Sequence, residues 1–144
     1  MNEEVKYISY EEAISVYAKM IDASDGGFDG VRDEGGIRAA LEFVQNDMYY
    51  PNFSDKLCSL VYKFCSGHYF NDGNKRIALT LGAYFLYKNS YFWQATIFMR
   101  QMESIVYHVA ASNIDQDLLL RIMTCFMNGE DYDEELKIDI ANAM

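Results

Sequence analysis

The sequence predicts an all-α fold, a compact helical bundle of about six to seven helices with a buried central helix and a short flap. Three observations carry that expectation. Apolar residues recur at the three- and four-residue spacing of helices along most of the chain, period-two alternation is hard to find, and short polar turns separate the periodic stretches. A length of 144 residues with 51% hydrophobic and 24% charged side chains suits a single domain over 1–144, with one core and no disordered tract.

Ser9 with Glu12 three residues on forms a capping box for a first helix through Ala13, Val16, Tyr17, Met20 and Ile21. That helix is expected to end in the turn Ser24-Asp25-Gly26-Gly27. Asp33 caps a second helix whose apolar face is Ile37, Ala40, Leu41 and Val44, and Asn46 to Phe53, which holds the only proline, breaks it. Ser54 is read as the cap of a third, with Leu57, Leu60, Val61 and Phe64 as its buried stripe. Residues 74 to 88 make a fourth that is apolar nearly all round, which belongs at the centre of a bundle. Ser90 to Ala95 is short and aromatic and is read as extended, ahead of a fifth helix over Thr96 to Ser112 and a sixth from Asp115 to Met127. Residues 130–144 form an acidic tail, either a solvated, weakly amphipathic helix or a frayed end.

Charge and cysteine content narrow the function. With 22 acidic against 12 basic residues the net charge is -10, so the field of the molecule repels phosphate backbones and excludes nonspecific nucleic-acid binding. Cys58, Cys65 and Cys125 are an odd number in a chain large enough to do without disulfides, which reads as reduced, core-filling and cytoplasmic. The gap between Cys58 and Cys65 matches no standard zinc spacing, and His108, among Val106, Tyr107 and Val109, reads as structural. The start of the chain is acidic where a signal peptide is basic, and no apolar run approaches the ~20 residues of a membrane span.

One stretch differs in kind: His68-Tyr69-Phe70-Asn71-Asp72-Gly73-Asn74-Lys75-Arg76, between the third and fourth helices. It reads as an anion site. A helix N-terminus offers unpaired amides and the positive end of a dipole, Gly73 allows close backbone approach, and Lys75 and Arg76 add two positive charges. Asp72 beside such a cradle suits Mg²⁺ shared with phosphate oxygens, and His68 is the nearby group able to take a proton near neutral pH.

The pattern His-x-Phe-x-Asp-Gly-Asn-Lys-Arg of residues 68–76 resembles the signature of the Fic/Doc family, and specifically its Doc (death-on-curing) toxin branch. Residues 30–37 resemble the family's turn into its second helix and 77–89 its central helix, so the resemblance spans roughly residues 7 to 93. It implies the Fic/Doc fold, with His68 as general base, Phe70 as the buried anchor of the loop and Asp72 as Mg²⁺ ligand. It further implies that Gly73 and Asn74 form an anion hole and an amide contact to phosphate, and that Arg76 neutralises charge on the moving phosphate. Lys75 distinguishes the branches: AMP-transferring Fic enzymes have glycine there, whereas a cation goes with ATP bound in the reverse sense and transfer of its γ-phosphate. The implied activity is an ATP- and Mg²⁺-dependent protein phosphotransferase, the toxin of a toxin-antitoxin pair, acting on a hydroxyl of a target such as elongation factor Tu. An AMP-transferase and a catalytically idle interaction module are the alternatives.

Tyr69 stands where most members have proline, which implies a less rigid loop. In the family a flap docks the target peptide, and Tyr49, Tyr50 and Pro51 within Asp47 to Phe53 are the expected contacts here. An inhibitory Ser/Thr-x-x-x-Glu-Gly/Asn helix is not found; Thr124 to Gly129 comes nearest, with Asn128 in place of the glutamate. The resemblance therefore implies inhibition by a separate antitoxin chain.

Overall fold

The caps legible in the sequence set where several of the helices begin. In the computed structural model, which describes residues 4–23 and 30–144, Ser9 and Glu12 exchange backbone–side-chain hydrogen bonds at 3.0 and 3.1 Å and open α1 (Tyr10–Ala23). The turn expected at Ser24 to Gly27 lies outside the described residues. Asp33 accepts the Gly36 amide at 2.8 Å and opens α2 (Glu34–Phe43). The third helix, α3 (Phe53–Ser66), starts earlier than expected: Asn52, not Ser54, is its N-cap, and the Asn52 amide donates to Asp55 at 2.9 Å. The carboxylate three residues beyond the cap decides the register, because it satisfies the cap's own amide.

The fourth helix, α4 (Asn74–Lys88), has the predicted bounds, and Ile77, Ala78, Leu81, Phe85 and Leu86 are all buried on it. The next segment corrects the reading: Phe92–Ala95 is not extended but forms the first turn of α5 (Phe92–Ala110). Ser90 reverses the chain with φ of 68°, and Tyr91 packs its ring on Phe53 at 4.7 Å. Packing thus overrides the strand preference of an aromatic run. Asp115 caps α6 (Gln116–Asn128) through the Leu118 amide, and Asp133 caps α7 (Glu134–Ala143) through the Leu136 amide, each at 2.8 Å. The acidic tail is therefore a capped helix, pinned by buried Leu136 and Ile140 and by an Arg121–Asp139 salt bridge of 2.6 Å.

Among the described residues there are seven helices and no strand; one antiparallel bridge pairs Val31 with Phe70. The fold is an all-α bundle with α3 and α4 at its centre: α4 packs on α1, α3 and α5, and α3 on α2, α4, α5 and α6. Gly82 explains how close two of these helices come, since a Cβ there would sit 2.5 Å from the Phe98 ring of α5. Among the described residues no helix is long and apolar enough to cross a membrane.

Candidate active site

The loop between α3 and α4 is held from three sides. From α1, Tyr17 stacks its ring on Phe70 at 4.0 Å and donates its hydroxyl to the Asp72 carbonyl at 2.9 Å. From the segment before α2, the Arg32 and Asp33 amides both donate to the Tyr69 carbonyl (2.8 and 3.0 Å), and the Asn71 amide donates to the Gly30 carbonyl (3.0 Å). From α4, the Asn74 side chain bridges the loop by accepting the Phe70 amide at 3.1 Å and donating to the Phe70 carbonyl at 3.0 Å. Phe70 itself is buried, as an anchor must be.

Tyr69 adds a support the sequence did not reveal. Its ring meets Phe64 edge-on at 5.3 Å and lies over two glycines, where a Cβ would come within 2.7 Å of it at Gly36 and 2.5 Å at Gly67. The ring is therefore a wedge between α2 and the end of α3, and the loop is fixed rather than loosened by the departure from proline. His68, its neighbour, has φ of 53°, a left-handed conformation that a non-glycine residue holds only where its surroundings over-determine it.

Gly73 begins α4 with φ of 79°, the left-handed region that favours glycine, and its amide donates to Asp72 Oδ1 at 2.8 Å. The first turn of a helix has amides with no carbonyl partner inside the helix, and here that turn carries Lys75 and Arg76. A cleft of about 500 Å³ brings His68, Asp72, Gly73, Asn74, Lys75 and Arg76 to one place. Of the predicted site residues only Phe70, which lies beneath, and Tyr49, Tyr50 and Pro51 do not line it. Tyr49 and Tyr50 border a different depression with Asp55, Cys58 and Gln116, and Gly30 to Asp33 pair with the motif loop along its backbone.

The donor set fits a magnesium–phosphate ligand. No group of three or more acidic, histidine or cysteine side chains converges among the described residues, so a cation at Asp72 would take most of its ligands from phosphate and water, as Mg²⁺ does. Cys65 also lines the cleft, but burial pushes its thiol up to about 11 against the pull of the Lys75 charge, and its Sγ lies 3.3 Å from the Val106 carbonyl. It is a neutral packing group, not a nucleophile. His108 is structural as read: its Nδ1 lies 2.9 Å from Asn113 Nδ2, and its carbonyl accepts the Asn113 and Ile114 amides where α5 ends.

Sequence reasoning missed the far wall of the cleft, which is α5: Glu103, Val106, Tyr107 and Ala110. Their spacing marks one helix face, but no local signal says what that face looks onto.

An all-α bundle that presents a histidine, a carboxylate and paired cations at the start of its central helix defines a class, and the chain belongs to the Fic/DOC family, whose model matches residues 7–86. Within that class it is similar to the protein named Protein kinase doc of Escherichia phage P1, at 35% identity over 88 residues, which are 59% of this chain and 69% of the relative.

Proposed function

We propose that the protein is a Doc-type phosphotransferase that moves the γ-phosphate of ATP to a hydroxyl of a protein target. The observation that carries this reading is the shared cleft, in which His68 faces the same space as Asp72 and the cationic first turn of α4. His68 takes the proton from the target hydroxyl as its oxygen bonds to the γ-phosphorus, the bond from that phosphorus to the bridging oxygen breaks, and ADP leaves. Arg76 and the first-turn amides neutralise the negative charge on the phosphate oxygens. Asp72 would hold Mg²⁺, which supplies further charge neutralisation on those oxygens when bound. Lys75 fills the space that an AMP donor's phosphates need and pairs with the phosphate chain in the opposite sense.

Similarity to a protein kinase supports the transferase class, and Lys75 in the cleft supports the γ-phosphate over the AMP moiety. The target we propose is a translation factor such as elongation factor Tu, and the biological role is that of a toxin held in check by an antitoxin chain, both of them cytoplasmic.

The test is to incubate the full chain with Mg²⁺ and ATP labelled on either the α- or the γ-phosphate, in bacterial lysate and with elongation factor Tu. Label is expected on a protein from γ-labelled ATP, and is expected to vanish in His68→Ala, whose exposed side chain leaves the fold intact. Label from α-labelled ATP alone would assign AMP transfer, and no label from either would favour an idle module.

A further inference from the structure

We propose that Tyr17 is a positioning residue of the site: its hydroxyl, acting through one peptide unit, sets the direction of the Asp72 carboxylate. The proposal rests on the metal–phosphate reading of Asp72 and goes beyond it by naming what aims that carboxylate. Tyr17 lies on α1, 55 positions from Asp72 in the chain, and is 2% exposed.

The connection runs through bonds that the structure shows. Tyr17 donates its hydroxyl to the Asp72 carbonyl at 2.9 Å. That carbonyl shares a peptide unit with the Gly73 N–H, and the unit is planar and trans, so fixing the oxygen fixes the opposite direction of the N–H. The Gly73 N–H in turn donates to Asp72 Oδ1 at 2.8 Å. A hydrogen bond to the carbonyl also polarises the peptide and makes its N–H a better donor. With Oδ1 held in this way, Oδ2, which accepts no hydrogen bond among the described residues, is the carboxylate oxygen left to a cation.

A buried tyrosine hydroxyl usually finds a partner, so the partner it has here needs a reason of its own. Asp72 is exposed, and water would satisfy its carbonyl equally well; what the phenol adds is direction. Direction is what this peptide unit lacks without it. The unit leads into Gly73, which has φ of 79°, and because glycine accepts either sign of φ the plane rotates at little steric cost unless something holds it. The holder is itself fixed. Its ring stacks on Phe70 at 4.0 Å, and α1 lies close over the turn, where a Cβ at Gly73 would sit 3.1 Å from Met20 Cε and 3.9 Å from the Tyr17 ring.

Tyr17→Phe keeps the ring and its stacking and removes only the hydroxyl. Electron paramagnetic resonance of Mn²⁺, standing in for Mg²⁺, reads metal binding to the full chain with ADP, against an ADP-only blank and without turnover. Tyr17→Phe is expected to weaken Mn²⁺ binding about two- to tenfold, the range for losing one hydrogen bond, while ADP affinity measured in EDTA stays unchanged. Asp72→Ala is expected to weaken Mn²⁺ binding further, and adding Tyr17→Phe to it to have no more effect, because two residues on one route are not additive. Equal Mn²⁺ affinity in wild type and Tyr17→Phe, or an undiminished loss from Tyr17→Phe in the Asp72→Ala background, would overturn the positioning role and leave Asp72 as a metal ligand. No wild-type binding beyond the blank, or full affinity in Asp72→Ala, would overturn the metal reading of Asp72 and this inference with it.

Discussion

Tyr69 stands beside the candidate base, and removing its ring tests how His68 is held. Tyr69→Ala empties the space over Gly36 and Gly67 and removes the contact with Phe64. For a half-buried aromatic the expected cost is about 2 kcal/mol of stability. Turnover is expected to fall further than folding does, about tenfold at a temperature where the variant is still folded, because the left-handed His68 loses the neighbour that fixes it. Tyr69→Phe should restore both, since the wedge is the ring and not the hydroxyl; a Phe variant as impaired as Ala would contradict the wedge. The nonapeptide was legible as a candidate site, because anion binding and proton transfer need particular residue types in a short span, and the structure gathers those side chains in one cleft. Tyr69 was not, because its role depends on two glycines, one of them 33 positions away in the chain and meaningless until both are brought under one ring.

Between elements, two contacts set how the bundle closes. Gly82 lies against Phe98, which is fully buried, so Gly82→Ala must push an aromatic ring that has nowhere to go. It is expected to cost about 1–3 kcal/mol, read as a lowered midpoint in denaturant. Glu12 ties α1 to α4 by accepting from Lys88 at 2.6 Å and from the Tyr84 hydroxyl, and these bonds, Lys88 first, hold its carboxyl at about 2. A depressed carboxylate stabilises the fold above its ordinary value of 4.5, and that contribution is lost as pH falls toward 2. Because a third of the side chain is exposed, about 1 kcal/mol is the expected size after solvent screening. The stability difference between wild type and Glu12→Gln should therefore shrink between pH 5 and pH 2, and a constant difference would contradict the clamp. Elements with their own caps, α1, α2 and α6, could be read from the sequence. The starts of α3 and α5 could not, because Asn52 competes with Ser54 for the cap and because Phe53 and Phe85 decide where Tyr91 lies.

For the whole molecule, the cleft is a local exception to its charge. A net charge of -10 surrounds a cleft whose α4 wall carries Lys75 and Arg76, so its local charge runs against that of the molecule as a whole. Fold class followed from periodicity alone, and the motif located the centre of the bundle. The contribution of α5 did not follow, because a wall built from a distant helix has no short-range signature. The central claim is that this site transfers the γ-phosphate of ATP, and the leaving nucleotide tests it most directly. Phosphorus NMR of the products formed with Mg²⁺, ATP and elongation factor Tu is predicted to show ADP, and Lys75→Gly is predicted to slow its release. Pyrophosphate in place of ADP, from wild type, would contradict the account and assign the site to AMP transfer.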